Sequence, residues 1–213
     1  MMLMLRKLLP VHLLLSIALA QPTFTEHVIS TSANGAWSVF SADVDGDGDM
    51  DVLSSSDQDD KIAWYQNDGS GNFTPHTITT SADVARSVFA ADVDSDGDID
   101  VLSASQNDNT VAWYENDGNE NFTEHTITTT ANGAVSIFAI DVDSDGDMDV
   151  LSGSEYDNTV AWYENDGNEN FTINVINDAA TGLNTVYAAD MDGDGDIDAL
   201  SAQWVGNKVS WYE

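Results

Sequence analysis

The residues most able to do chemistry in this chain are aspartates. They recur in a fixed pattern, Asp-x-Asp-x-Asp-Gly-x-x-Asp, at Asp43–Asp51, Asp92–Asp100, Asp141–Asp149 and Asp190–Asp198. Carboxylates at alternate positions of a curled loop converge on one point, and the fixed glycine (Gly48, Gly97, Gly146, Gly195) permits the sharp turn between them. An all-oxygen, carboxylate-rich donor set suits a hard cation. Ca²⁺ accepts six to eight oxygens in flexible geometry, whereas Mg²⁺ demands a near-ideal octahedron and keeps its waters. No His or Cys accompanies the clusters, which argues against zinc and copper. The expected ligand groups are Asp43, Asp45, Asp47, Asp49 and Asp51; Asp92, Asp94, Asp96, Asp98 and Asp100; Asp141, Asp143, Asp145, Asp147 and Asp149; and Asp190, Asp192, Asp194, Asp196 and Asp198. Within the first loop, Asp43, Asp45, Asp47 and Asp51 are expected to offer side chains and Asp49 its backbone carbonyl. An EF-hand is excluded, because the twelfth loop position is Ser54 rather than Glu and no helical pattern flanks the loop.

The elements that must position these loops follow from the same repetition. The loops are spaced by 49 residues, and so are Trp64, Trp113, Trp162 and Trp211, each followed by Tyr, and Phe24, Phe73, Phe122 and Phe171, each followed by Thr. Three markers sharing one period define repeat units at 24–72, 73–121, 122–170 and 171–213. Within the first copy, four short β-rich segments are expected at Ala36–Val44, Asp51–Ser56, Ile62–Gln66 and Asn72–Thr79. Asn67-Asp68-Gly69 between the last two is hairpin chemistry. Four strands in about 50 residues match the spacing of propeller blades. The expected fold is therefore all-β: a β-propeller of four four-stranded blades, forming either a closed ring or part of a larger one. The chain after residue 20 opens with a fourth-strand segment, Phe24–Ser30, and ends just after a third-strand segment. In a closed ring the first would complete the last blade and remove both free edges.

Composition bounds the rest. With 38 acidic and 5 basic residues the formal net charge is −33, a field that repels phosphate backbones and anionic lipid. Disorder is excluded by the regular placement of six Trp, six Tyr and seven Phe. Residues 1–20 read as a secretory signal peptide: Arg6 and Lys7, an apolar run over Val11–Leu19, then a small-residue cleavage site at Ala18–Ala20. The repeat domain then spans 21–213, with no membrane span after cleavage and a secreted or cell-surface location. The chain has no cysteine, so its loops must be tied by something other than disulfides. Asn72, Asn121 and Asn170 each open an Asn-Phe-Thr sequon.

The aspartate loop followed by a short apolar strand, in a unit of about 50 residues, resembles the FG-GAP/VCBS repeats of integrin α-subunit propellers and of many secreted bacterial proteins. The resemblance covers Phe24–Glu213. Ser41 follows Phe40 where the family often has Gly, and Ser54–Ser56 stands where it has Gly-Ala-Pro, so the chain resembles the VCBS branch more than integrins. The resemblance implies a seven-bladed ring in many relatives. Four blades imply a fragment, a smaller ring, or a partial ring that self-associates.

Divergence between the copies concentrates between the second and third strands and just before the first. In a four-stranded blade those connections share one face of the ring, opposite the metal loops. Trp37, Arg86, Tyr156 and Trp204 are the candidate ligand-face residues, suited to stacking on sugars or capturing a protein. His27, His76 and His125 recur on the fourth strand as structural residues. No Gly-x-Ser-x-Gly, His-Glu-x-x-His or cysteine nucleophile is present, which points away from an enzyme. The leading expectation is an extracellular calcium-binding module for adhesion or binding, with a glycan or an extracellular protein as partner. A polysaccharide-active enzyme or its accessory domain, and a purely structural or truncated repeat, are the alternatives.

Overall fold

A computed structural model describes residues 23–213; the signal peptide expected at 1–20 lies outside the described residues. Among the described residues fifteen strands form four antiparallel sheets. The first contains β1 (Ala36–Ala42), β2 (Asp51–Ser56), β3 (Lys61–Asn67) and β4 (Phe73–Thr79), in that spatial order. β5 (Ala85–Ala91), β6 (Asp100–Ser105), β7 (Thr110–Asn116) and β8 (Phe122–Thr128) form the second. The third holds β9 (Ala134–Ile140), β10 (Asp149–Ser154), β11 (Thr159–Asn165) and β12 (Phe171–Asn177). The fourth holds three strands, β13 (Leu183–Ala189), β14 (Asp198–Gln203) and β15 (Lys208–Tyr212). These are blade-like sheets packed face on face, and none of the described residues is helical.

Burial explains the residue choice in each strand. The second strand of a blade is covered on both faces by neighbouring blades, so β6 and β10 are buried at every position and, after the loop aspartate, carry small or apolar residues, as in Val101-Leu-Ser-Ala-Ser105. The outer strand β8 has no fully buried position, and Thr123, Glu124 and Thr126 are exposed. Cross-strand registry sets one row per blade, Phe89 beside Leu102 beside Trp113 beside His125 in the second. Trp113 is 1% exposed, and its ring stacks on His125 at 4.6 Å, which gives the recurrent histidine its structural role. The inner strands bring Phe40, Phe89, Phe138 and Tyr187 into a continuous row, with centroids 4.5, 4.9 and 4.5 Å apart.

Three apolar clusters join first blade to second, second to third and third to fourth. Among the described residues no such cluster joins the fourth blade to the first. The expected closure by Phe24–Ser30 is corrected here: residues 23–30 carry no strand, Phe24 is 98% exposed, and β15 is left as a sheet edge. Packing of blade on blade is local in sequence, whereas closure needs the first and last blades to meet, a global curvature that a repeat does not encode.

Candidate functional site

Each aspartate loop spans the gap between the first and second strands of its blade. Gly48, Gly97, Gly146 and Gly195 have φ of 95, 100, 101 and 103°, which a side chain would strain, and their N–H groups donate to Asp43, Asp92, Asp141 and Asp190 at 2.9, 3.1, 3.1 and 3.2 Å. Asp47 N–H donates to Asp45 and Asp49 N–H to Asp47, so each loop curls around its own carboxylates. Carboxylate oxygens lie within 4.8 Å of one another in four groups: Asp43, Asp45 and Asp51; Asp92, Asp94 and Asp96; Asp141, Asp143 and Asp149; Asp190, Asp192 and Asp194. Each could hold a metal ion. The fit is supported by Asp43 Oδ1 and Asp92 Oδ1, which are buried and accept no hydrogen bond. Such an oxygen is costly unless a donor or a cation takes it up, and a bound cation would do so.

In the first three loops the last aspartate has a task that its spacing does not reveal. Asp100 is fully buried; its Oδ2 accepts the Val93 N–H at 2.8 Å and its Oδ1 the Asn116 N–H at 2.8 Å. Asp51 and Asp149 repeat this with Val44 and Asn67, and with Val142 and Asn165. One carboxylate thereby fastens the metal loop to the end of the third strand. Asp49, Asp98 and Asp147 belong to no metal group and lie against Gly69, Gly118 and Gly167 of the adjoining hairpin, where a β-carbon would collide. Their side chains therefore face the hairpin and not the clustered carboxylates. In that hairpin Asn72, Asn121 and Asn170, the sequon residues, donate to Asp68, Asp117 and Asp166.

Burial pushes the Asp100 carboxyl up to about 7; the Asn116 and Val93 N–H groups oppose the rise, and the Asp94 and Asp96 charges add to it. Asp94, Asp143 and Asp149 are also raised, chiefly by burial. An acid whose folded pKa exceeds its unfolded value holds its proton more tightly when folded. The stability it contributes is present below about pH 4 and is lost as pH rises towards 7. Metal-free protein is therefore expected to melt several degrees higher at pH 5 than at pH 7.5. Calorimetry in chelator checks this, and equal melting points would show that these carboxyls are not desolvated.

The opposite face holds a second feature. The β2–β3, β6–β7, β10–β11 and β14–β15 turns meet the connections that enter each blade, with Asp57, Gln106, Glu155 and Trp204 N–H groups donating to Gly35, Val84, Gly133 and Gly182 carbonyls at 3.0, 3.1, 2.8 and 2.9 Å. Strand registry then skips one residue in every first strand, at Trp37, Arg86, Val135 and Asn184. These β-bulges turn all four side chains into one cleft of about 220 Å³, lined also by Gln106, Glu155 and Trp204. Trp37 and Trp204 are 60% and 65% exposed. The Arg86 guanidinium lies 3.8 Å from the Trp37 ring centroid, and donates to Gln106 Oε1 at 3.0 Å and Asp57 Oδ2 at 3.1 Å. Gln106 in turn donates to Glu155 at 3.0 Å.

Of the four ligand-face candidates, Trp37, Arg86 and Trp204 come together in this cleft. Tyr156 does not line it; it stands exposed with its ring over Gly133. Gln106 and Glu155 also line the cleft, and their place in the variable β6–β7 and β10–β11 turns is the sequence signal that marks them.

Both the loop and its spacing are those of a known repeat. The FG-GAP-like repeat matches at residues 43–103, 92–152 and 141–201, each match running from one aspartate loop through the next. The chain belongs to the FG-GAP-like repeat family. No curated protein matches it. Among solved structures this FG-GAP-like chain is similar to the biofilm matrix protein Bap1 of V. cholerae, at 25% identity over 76% of this chain and 23% of that one, with a TM-score of 0.47. It is also similar to an exo-β-1,3-galactanase from Phanerochaete chrysosporium, at 14% identity over 84% of this chain and 46% of that one, with a TM-score of 0.50. At that identity the likeness shows the fold alone. The FG-GAP-like chain spans less than half the length of either protein.

Proposed function

We propose that this protein is a secreted or surface-displayed, non-catalytic binding and adhesion module, in which Ca²⁺ at the four aspartate loops rigidifies the blades and the bulge-lined cleft captures a neutral glycan. The observation that carries the reading is the convergence of four phase-locked bulge residues, two of them Trp37 and Arg86, with Trp204 on one cleft. Bulges cost ladder hydrogen bonds, and here all four aim side chains at the same space. Exposed indole faces suit the apolar C–H faces of sugar rings, while Gln106, Glu155 and Asn184 offer donors and acceptors for hydroxyls.

Electrostatics narrows the ligand. Among the described residues Arg86 is the one cation in the cleft and is already engaged by Asp57 and Gln106, and the chain carries −33. An anionic sugar would meet repulsion without a free counter-charge, so a neutral glycan fits best. Calcium is supported by the all-carboxylate donor sets and by the unpartnered buried oxygens of Asp43 and Asp92. A glycan-array screen in millimolar calcium, with parallel assays for released reducing ends, tests the whole. Binding without turnover is expected, and Trp37→Ala and Trp204→Ala should each weaken it about tenfold or more, roughly 1.4 kcal/mol. Turnover would replace this reading with an enzyme, and binding unaffected by either substitution would move the site elsewhere.

A further inference from the structure

The chain repeats one blade-to-blade interface three times and exposes both halves of a fourth. On the leading half, Val88, Ile137 and Val186 each pack into the preceding blade and are 4% exposed, whereas their counterpart Val39 is 72% exposed. On the trailing half, Ile62, Val111 and Val160 are 0% exposed, whereas Val209 is 84% exposed, with Trp211 at 46% beside it. The internal interfaces also carry a side-chain bond from one blade to the one before, from Asn116 Nδ2 to the Val44 carbonyl at 3.0 Å and from Asn165 Nδ2 to the Val93 carbonyl at 3.3 Å. In phase with these, Asn67 would donate to the Met191 carbonyl of a blade placed ahead of the first.

The outer strand supplies an independent observation. Phe122 on β8 packs edge-on against Trp64 of the first blade, centroids 6.2 Å apart, and Phe171 on β12 packs on the cluster around Trp113. Beside Trp162 an apolar groove of about 220 Å³ opens instead, lined by Ile176, Ile197 and Tyr212. The chain also holds a segment that matches such a strand: Phe24-Thr-Glu-His27 repeats Phe122-Thr-Glu-His125 residue for residue, and Phe24 and Val28 are 98% and 67% exposed. Five residues separate Ser30 from β1, as five separate β4 from β5. Such a connection lets the segment serve only the blade packed directly ahead of the first. Within one chain the fourth blade is not packed there.

We infer that a second copy of this chain docks head to tail, its fourth blade against the first blade of its partner, and that Phe24–Ser30 of one copy adds to the free edge of β15 in the other while Phe24 enters the groove beside Trp162. Strand addition satisfies the edge N–H and C=O groups that β15 exposes, and the Val39 and Val209 faces close over each other as their internal counterparts do. The interface is heterologous, so two copies that curve enough close into a ring and a shallower curve propagates a filament.

Light scattering on the purified chain in calcium and physiological salt should give the mass of two or more copies. Phe24→Asp and Val209→Asp alter residues that are exposed in the single chain, so each should keep the far-ultraviolet dichroism yet fall to the mass of one copy. Mixing the two variants should restore a two-copy species, because one retains a competent strand and the other a competent edge. A single-copy mass for the unaltered chain, or a larger mass that survives either substitution, overturns the inference. So does a single-copy species whose amides at 24–30 resist hydrogen exchange, which would mean closure within one chain.

Discussion

Removing calcium with excess chelator is expected to lower the stability of this protein by on the order of 6 kcal/mol, enough to unfold much of it near physiological temperature. Two carboxylates about 5 Å apart repel by about 0.8 kcal/mol even at the dielectric of water, and each loop packs five aspartates into nine residues. The chain has no disulfide to hold those loops shut, and its formal charge of −33 adds to the repulsion. A site held at ten times its dissociation constant adds about 1.4 kcal/mol by linkage, and four independent sites approach a domain's whole stability. Calorimetry with calcium titrated back in checks the effect. Replacing Asp43, Asp45 and Asp47 together should remove about one quarter of the calcium-dependent gain. A melting point indifferent to chelator, with no ion retained, would refute the assignment at all four loops.

Local chemistry was legible in the sequence, and long-range placement was not. The segment expected at Asp51–Ser56 is β2 as observed, and the others differ from β1, β3 and β4 by one or two residues. Alternating apolar residues, Asn-Asp-Gly turns and a period repeated four times all report on neighbours within one blade. The fastening role of Asp51, Asp100 and Asp149 was hidden, because a carboxylate that accepts two distant N–H groups looks the same in sequence as one that only binds metal. The bulges at Trp37, Arg86, Val135 and Asn184 were equally silent, since a skipped residue depends on the partner strand's registry. Their divergence between copies pointed at the face opposite the aspartate loops, but only the bulges show that those side chains share a cleft that Tyr156 does not enter. Closure failed as an expectation for a related reason: Phe24–Ser30 has the right residues for a fourth strand, yet where a strand pairs is set by which sheet edge it can reach.

The largest single-residue effect is expected at Asp100. Asp100→Ala should cost about 2–6 kcal/mol even in saturating calcium, because it leaves the Val93 and Asn116 N–H groups without acceptors, at about 1–3 kcal/mol for each buried group. Asp100→Asn should recover little. An amide can accept one of those bonds, but it must then turn its NH₂ donor towards the other N–H. Asp98→Ala provides the contrast: its side chain lies against Gly118 outside the metal group, so its loss should cost well under half as much. Urea denaturation in excess calcium separates the two roles of the loop, since metal depletion cannot then explain a low midpoint. If Asp100→Ala and Asp98→Ala shift the midpoint equally, the buried carboxylate is not what fastens the loop to the third strand. If Asp100→Ala alone collapses stability while the other three loops still bind calcium, the fastening precedes the metal: the blade first pins its loop through one buried aspartate, and the remaining carboxylates are then held close enough to need the ion.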